Sequence, residues 1–356
     1  MKQERMERVR RGMEALGLDQ ILVTQPESVY YLTGLFVNPG ERMLALLIGK
    51  DGCALFVNRM FALSPLAGDL PLCEFDDTDD PVALLADHLS PGKLGVDKDW
   101  PSRFTIGLMN ARRDLQPVVG SRPVDEARML KDAEELEAMR LSSRMNDKVT
   151  NMLMHSLREG ERETDVGRRY TDFAVAEGAA GFSFTPLICF GAGCAEPHHA
   201  TGSDCLKKGD AVILDVGLQK DHYMSDMTRT VFFGSVTDEQ KKVYEIVKRA
   251  NAAGKAAVKP GVLLSDIDRA ARKVIEDAGY GPYFLHRTGH GIGLSVHEPP
   301  DVSATNPVVA RPGMTFSIEP GIYLAGKFGV RVEDLVAVTQ DGCEVLNALD
   351  RELTVI

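Results

Sequence analysis

Residues 211–234, AVILDVGLQKDHYMSDMTRTVFFG, read as two strands and a turn. The run Ala211–Leu214 is apolar and ends in Asp215, and the run from Ser225 to Phe233 is rich in Thr, Val and Phe. The polar stretch Gln219–His222 between them has the composition of a hairpin turn. With the turn centred between Lys220 and Asp221, Asp215 and Asp226 stand directly opposite, on one face, with Cβ atoms about 5 Å apart. Two carboxylates so placed repel unless they share a proton or hold a cation. The plain alternative is a solvated acidic turn, since Asp is common near turns.

A second hairpin bears on that choice. Thr315–Glu319 and Val330–Glu333 both alternate in period two, and Glu319 and Glu333 are symmetric about Gly326 in the turn Ala325-Gly326-Lys327. Arg331 shares the face of Glu333, two residues on. Four carboxylates from two hairpins then converge, and one arginine does not neutralise them. A pair of divalent cations would, and oxygen-rich ligation with one imidazole favours Mn²⁺, with Co²⁺ or Zn²⁺ as alternatives. The imidazole candidate is His290 in Thr288–Gly293, TGHGIG, where glycines on both sides permit close backbone approach. His297 follows in VHEPP, and His198 and His199 precede the first hairpin in AEPHH. His286 has no role assigned by its sequence context. For any one histidine alone, a hydrogen-bonded structural role is the plain reading.

Composition sets the frame. The chain has 356 residues, 44% hydrophobic and 26% charged, which is ordinary for a globular protein and long enough for two domains. A net charge of −11 argues against nucleic acid or an anionic membrane as main partner. Met1–Arg11 is densely charged and lacks the apolar core of a secretory leader, and apolar runs such as Met43–Ile48 are too short to span a bilayer. Six cysteines without a CxxC pair are expected as reduced, mostly buried thiols of a cytoplasmic protein.

Along the chain, residues 1–16 predict a helix with Met6, Val9, Met13 and Leu16 on its apolar face and Gly17 as stop. Ile21–Thr24 predicts a strand, Pro26–Thr33 a short helix, the FVNPGER segment (36–42) a loop, and Lys50-Asp51-Gly52 a hairpin turn. Alternating short elements make this an α/β domain, 1–123. Beyond it, 124–356 reads as an α+β domain running helix–helix–hairpin twice: Asp132–Met154, Thr164–Glu177 and the first hairpin, then a helix opened by the Thr237-x-x-Gln240 box, Ser265–Ala278 and the second hairpin. Leu136, Met139, Leu141, Met145, Val149 and Met152 are the expected buried face of the first of these helices. One continuous α/β domain is the alternative.

In this order and spacing, Asp215, Asp226, His290, Glu319 and Glu333 resemble the ligand set of the pita-bread metallopeptidases, in particular the aminopeptidase P and prolidase branch. The matching stretches are ILDVG, SDMTRT, TGHGIGLSVHEPP, RPGMTFSIEPGIY and GVRVEDL. The resemblance implies a creatinase-like N-terminal domain and a pita-bread catalytic domain, and two metal ions held by those five residues, with Asp226 and Glu333 bridging. It further implies substrate contacts from His198 and His297, support of the metal-bound acids by Arg331, proton transfer by Glu319, short proline-containing peptides as substrates and a homodimer. Loss of the ligands would mark a non-peptidase relative; here all five are present. A dipeptidase must also hold the carboxylate of the terminal proline. In some prolidases an arginine follows the second histidine by four residues, whereas this chain has Asp301 there, and Arg42 in the FVNPGER loop is the candidate replacement. The expected activity is Xaa-Pro dipeptidase, with aminopeptidase P as the alternative and, from another class, a non-peptidase homologue of this fold acting as a metal-free enzyme or binding protein.

Overall fold

In the computed structural model, which describes residues 1–50 and 52–356, the chain divides into two compact units, Met1–Arg128 and Met129–Ile356. The N-terminal unit is a mixed sheet of order β4-β3-β2-β1-β5-β6, built from Gln20–Val23 (β1), Ala45–Gly49 (β2), Cys53–Asn58 (β3), Leu72–Phe75 (β4), Gly92–Val96 (β5) and Leu115–Val119 (β6). Its helices are Gln3–Ala15 (α1), Pro26–Thr33 (α2), Pro81–Ala86 (α3), Ser102–Ala111 (α4) and Arg122–Arg128 (α5). β1 is buried along its whole length, as an apolar run flanked on both sides by other strands requires. Met6, Val9 and Met13 are buried as expected, but Leu16 is exposed because α1 has ended before it, and Gly17 takes the left-handed φ of +62° that stops the helix. β2 and β3 pair antiparallel, and the turn expected between them includes Asp51, which lies outside the described residues.

The C-terminal unit repeats helix–helix–hairpin. The first half comprises Ala133–Met154 (α6), Glu163–Ala176 (α7), Gly181–Phe182 (β7), Leu187–Phe190 (β8), Ala211–Val216 (β9), Leu218–Lys220 (β10), Tyr223–Met224 (β11) and Met227–Phe232 (β12). The second comprises Asp238–Ala257 (α8), Leu264–Asp277 (α9), Gly289–Gly291 (β13), Glu298–Val302 (β14), Thr315–Ile318 (β15), Gly321–Leu324 (β16), Phe328–Arg331 (β17), Asp334–Val338 (β18) and Cys343–Val345 (β19). Capping boxes open α6 at Asp132 and α8 at Thr237.

The buried face of α6 departs from the hydrophobic expectation. Leu141 is exposed, while Ser142, Ser143, Asn146 and Thr150 are fully buried. Hydrogen bonding accounts for two of them: Ser142 donates to the Leu218 carbonyl at 2.8 Å and Asn146 to the Val216 carbonyl at 2.8 Å, where the hairpin bends. The second half uses the same device. Asn251 of α8 donates to the carbonyls of Ile318, at 2.8 Å, and Val332. Each helix thus fastens the bend of the hairpin beside it, and each bend carries acidic residues.

The cysteines are free thiols. Cys189 and Cys194 are buried, Cys53, Cys73 and Cys343 are half-buried and Cys205 is exposed, so burial is less general than expected. Among the described residues no helix is long and apolar enough to cross a membrane.

Candidate active site

Asp221 and His222 form the tip of the first hairpin, with Gln219 opposite Met224 and Lys220 opposite Tyr223. Both tip residues lie at positive φ, +49° and +68°, the geometry of a two-residue turn that follows strand twist. The turn centre is therefore one residue later than the sequence suggests. In consequence Asp215 faces Thr228 rather than Asp226. The correction is a shift of two residues along the partner strand, and side chains alternate with period two, so Asp226 keeps the face of Asp215 and stands diagonal to it.

The second hairpin keeps the expected register. Ile318 pairs with Asp334 on one side of the bend and Gly321 with Arg331 on the other, which sets Glu319 against Glu333. Threonines join the two hairpins. Thr228 Oγ1 donates to Glu333 Oε2 at 2.7 Å, the Glu333 amide donates to the Thr228 carbonyl at 3.1 Å, and Thr230 Oγ1 donates to the Arg331 carbonyl at 2.8 Å. Arg331 crosses between the halves: its guanidinium donates to Asp215 Oδ2 at 2.5 Å, to Tyr323 Oη at 2.9 Å and to Thr228 Oγ1 at 3.0 Å.

His290 enters on β13. Its Nε2 lies 3.6 Å from Asp226 Oδ2 and 3.5 Å from Glu319 Oε1, and its ring meets that of His297 edge-on at 4.1 Å. Ligand atoms of Asp226, His290 and Glu333 all fall within 4.8 Å of one another. The flanking glycines explain how the strand comes so near. A Cβ on Gly289 would lie 1.9 Å from the Ser317 carbonyl oxygen, and one on Gly291 would lie 2.3 Å from that of Glu298. Gly289→Ala must push the backbone of β15 away, so a loss of about 2 kcal/mol is expected from overpacking. Thermal unfolding of the variant checks this, and an unchanged melting temperature would show that the strand yields freely.

Charge in this cluster is strained. Burial, reinforced by Glu333, Asp215 and Glu319, pushes the Asp226 carboxyl well above the usual range. Burial and Glu319 do the same to Glu333. Burial raises Glu319 to about 7 against the pull of Arg331. His290 is held down at about 3 by burial and by His297. Asp215 Oδ1, Asp226 Oδ1 and Glu333 Oε1 are buried and have no hydrogen-bond partner. Buried carboxylate oxygens are rarely left so.

The cluster forms the floor of a cleft of about 510 Å³, whose walls include His198, His297, His286, Arg287 and Phe184. His199 turns away from it, and its Nε2 lies 3.0 Å from Oε2 of the fully buried Glu163 on α7, which also accepts from the Phe190 and Gly202 amides. Arg42 belongs to the N-terminal unit, where Asp77 accepts from its Nε and Nη2 at 2.8 Å and Glu41 from its Nη1 at 2.9 Å. Sequence reading missed Thr228 and Tyr323. Both were within reach of the period-two rule, Thr228 counted from Asp226 and Tyr323 from Glu319. Nothing local pointed to the Glu163–His199 contact, which joins residues 36 positions apart.

Comparison with known proteins agrees with this architecture. Residues 137–340 match metallopeptidase family M24 and residues 5–130 match the creatinase/prolidase N-terminal domain. An uncharacterized peptidase of Staphylococcus aureus (strain USA300) is 36% identical over 346 residues, 94% of this chain and 95% of that one. The crystal structure of a dipeptidase from Pyrococcus horikoshii OT3 superposes with a TM-score of 0.94 at 33% identity, covering 99% of this chain and 100% of the other. That of a recombinant prolidase from Thermococcus sibiricus gives 0.94 at 34% identity, covering 100% and 99%.

Proposed function

Because the chain belongs to metallopeptidase family M24, with a creatinase-like N-terminal domain and a pita-bread catalytic domain, we propose that it hydrolyses the peptide bond before proline, with Xaa-Pro dipeptides as its favoured substrates. The observation that carries this reading is the set of three orphaned buried carboxylate oxygens, on Asp215, Asp226 and Glu333, gathered from two hairpins beside His290. Prolidases and dipeptidases among its structural neighbours support the substrate class.

Membership of the family implies metal ions, and the donor set fits them. Orphaned oxygens and mutually repelling acids are what cations would satisfy. Asp215, Asp226, His290, Glu319 and Glu333 would hold two divalent ions, with Mn²⁺ favoured by the oxygen-rich set. When bound, such ions acidify water toward neutral pH and polarise a carbonyl.

The residues of the chain do the rest. Glu319 takes a proton from the attacking water and passes it to the departing proline nitrogen. Burial holds the His297 ring neutral, which leaves one ring N–H to donate to the scissile carbonyl oxygen. His198, which lines the same cleft, contacts the substrate. Arg331 fixes Asp215 through the hydrogen bond already described. Proline offers no N–H, so selectivity comes from how the cleft receives the ring.

Hydrolysis of Ala-Pro and Ala-Pro-Ala by metal-stripped protein, with and without Mn²⁺, tests the reading. Metal-dependent cleavage of the dipeptide alone is expected. Preferred cleavage of the tripeptide would make it an aminopeptidase P, and cleavage of neither would sink the peptidase assignment.

Metal removal has a consequence for stability with a definite sign. Asp226, Glu333 and Glu319 have folded-state pKa values above their ordinary ones. Their contribution is fully present below about pH 4 and is lost as pH rises through the folded values. His290, depressed to about 3, acts oppositely, but only below its ordinary value of about 6.5. Within the cluster, the carboxylates dominate the change between about pH 6.5 and 8. Saturating Mn²⁺ should raise the melting temperature by about 5–10 °C at pH 8, from about 2.7 kcal/mol of linkage at a hundredfold excess over Kd. The shift should be smaller at pH 6.5. Scanning calorimetry at both values decides it, and equal shifts would refute the charge argument.

A further inference from the structure

Polarising the scissile carbonyl requires the His297 ring to point in one direction. The ring itself is held by little. It stands partly open to the cleft, meets the His290 ring edge-on at 4.1 Å, and makes no side-chain hydrogen bond among the described residues. Residues 292–297, between β13 and β14, belong to no strand. The backbone of this connection therefore sets the direction of the ring, and whatever fastens the connection aims it.

The start of the connection is fastened by the sheet. Thr315 Oγ1 donates to the Ile292 carbonyl at 2.6 Å, and the Met224 amide of β11 donates to the Gly293 carbonyl at 2.8 Å. At the other end the fastening is a carboxylate. Glu298 directly follows His297. Its Oε2 accepts from the Ser295 amide at 3.3 Å, which closes the bend around His297, and its Oε1 accepts from Lys131 Nζ at 2.7 Å. The Glu298 and Lys131 side chains are only 5% and 1% exposed, so this ion pair is buried. Lys131, just before α6, is held in turn, its amide donating to the Gly313 carbonyl at 2.9 Å. A glycine makes room for the pair. A Cβ on Gly293 would lie 2.6 Å from Glu298 Oε1 and 2.8 Å from Lys131 Cε. The third glycine of TGHGIG thus accommodates the ion pair, where the first two admit His290.

Stability alone is a weak reason for such a pair. Two charges taken out of water lose much of their solvation, and apolar residues of the same volume are commonly as stable or more so. What the pair supplies is fixed geometry, since a short charged hydrogen bond between enclosed partners tolerates little displacement.

We propose that Lys131 and Glu298 are positioning residues for His297. Their buried ion pair holds the bend so that the imidazole faces the scissile carbonyl, and it serves the rate rather than the binding of substrate or metal. The inference rests on the peptidase reading of the site. Both residues belong to the C-terminal unit, so the device is internal to the catalytic domain.

Three variants separate positioning from folding. Glu298→Gln keeps the shape and an acceptor for Ser295 but leaves the Lys131 charge unpaired. Lys131→Met combined with Glu298→Met removes both charges and should recover most of any melting temperature that the single variant loses. His297→Ala removes the positioned group itself. With Ala-Pro and Mn²⁺, Glu298→Gln and the double variant should each lower kcat about 10–100-fold, the cost of a misplaced group, with KM within about twofold and Mn²⁺ affinity unchanged. On the His297→Ala background, Glu298→Gln should lower kcat by less than a further factor of about three, because the group it positions is gone. The ring is also read without turnover, by NMR of ¹³C-histidine-labelled protein loaded with diamagnetic Zn²⁺. The His297 signal is the one missing from His297→Ala, and Glu298→Gln should shift or broaden it. Four results overturn the inference: a double variant with the wild-type rate, a kcat loss from Glu298→Gln that persists in full without His297, a loss of Mn²⁺ affinity in place of kcat, or an unmoved His297 signal. Failure of the peptidase reading is distinct, for the wild type then cleaves no Xaa-Pro bond while the His297 signal still responds to Glu298→Gln.

Discussion

Asp226→Asn is expected to abolish peptide hydrolysis and, in the same molecule, to raise the melting temperature of the metal-free protein. Both effects follow from the crowding of charge at the bend of the first hairpin. Asp226 is 4% exposed, and its Oδ1 has no partner. At neutral pH an unfolded chain ionises this residue, whereas the fold resists ionisation because of burial, Glu333, Asp215 and Glu319. Folding without metal must therefore take up a proton or bear the repulsion, and either costs free energy. Asparagine has the same shape, carries no charge and offers an N–H to the neighbouring carboxylates. Relief of about 2 kcal/mol, or about 4–8 °C, is expected for the metal-free variant at pH 8. The same change removes a residue proposed to hold the metal ions. Loss of an outer partner of a metal ligand already costs about 10–100-fold, so kcat/KM should fall by more than about a hundredfold and the Mn²⁺-induced thermal shift should vanish. The pairing of outcomes is the informative part. A site optimised for stability would lose both together, while a site holding unfavourable charge for function trades one for the other. A metal-free variant that melts below the wild type would remove the argument.

The trade is legible in the sequence because acidic residues interrupt strands that are otherwise apolar or threonine-rich. Period-two alternation places Asp215, Asp226, Glu319 and Glu333 on common faces even when the turn is misjudged. The Asp221–His222 tip shows why. Neither residue is glycine, and the pair lacks the Asn-Gly signature, so the centre of the turn was misplaced by one position. The register of the partner strand moved by two, and the face survived. Helix α6 shows the reverse failure. Its hydrophobic pattern points to Leu141, but the buried face carries polar side chains that bond the hairpin backbone, Ser142 to the Leu218 carbonyl and Asn146 to the Val216 carbonyl. Tertiary hydrogen bonds leave no mark on hydrophobic periodicity. His286 and Arg287 were missed or unassigned for a related reason: their environment is set by Asp268, Arg272 and Tyr323, which lie 14 to 37 residues away in the chain.

Behind the acidic site lies a second charge cluster, and breaking it should give the largest loss of stability. Thr228 faces the site, so the next residue on β12, Arg229, points the other way. Its Nη2 donates to Asp334 Oδ1 at 2.9 Å, and it also donates to the carbonyls of Glu333, Leu349 and Asp350. Asp334 is fully buried and also accepts from Lys255 at 2.5 Å and from Arg351 at 2.7 and 2.8 Å. Burial alone would raise its pKa, but the three cations outweigh burial and hold the carboxyl far below its ordinary range. A depressed value means that its contribution is present above about pH 4 and fades only in stronger acid. Asp334→Ala leaves Arg229 buried and uncompensated, for a cost of about 3–5 kcal/mol or roughly 6–20 °C in melting temperature. Arg351→Ala removes a partner that is one-quarter exposed and should cost no more than about 1 kcal/mol. Activity should fall as well. The Glu333 carbonyl is held by Arg229 at 2.6 Å, so loosening this cluster lets the neighbouring Glu333 carboxylate drift, and Mn²⁺ affinity should weaken about 10–100-fold. If Asp334→Ala lowered stability but left Mn²⁺ affinity intact, the cluster would be a fastening of the sheet alone, with no part in positioning Glu333.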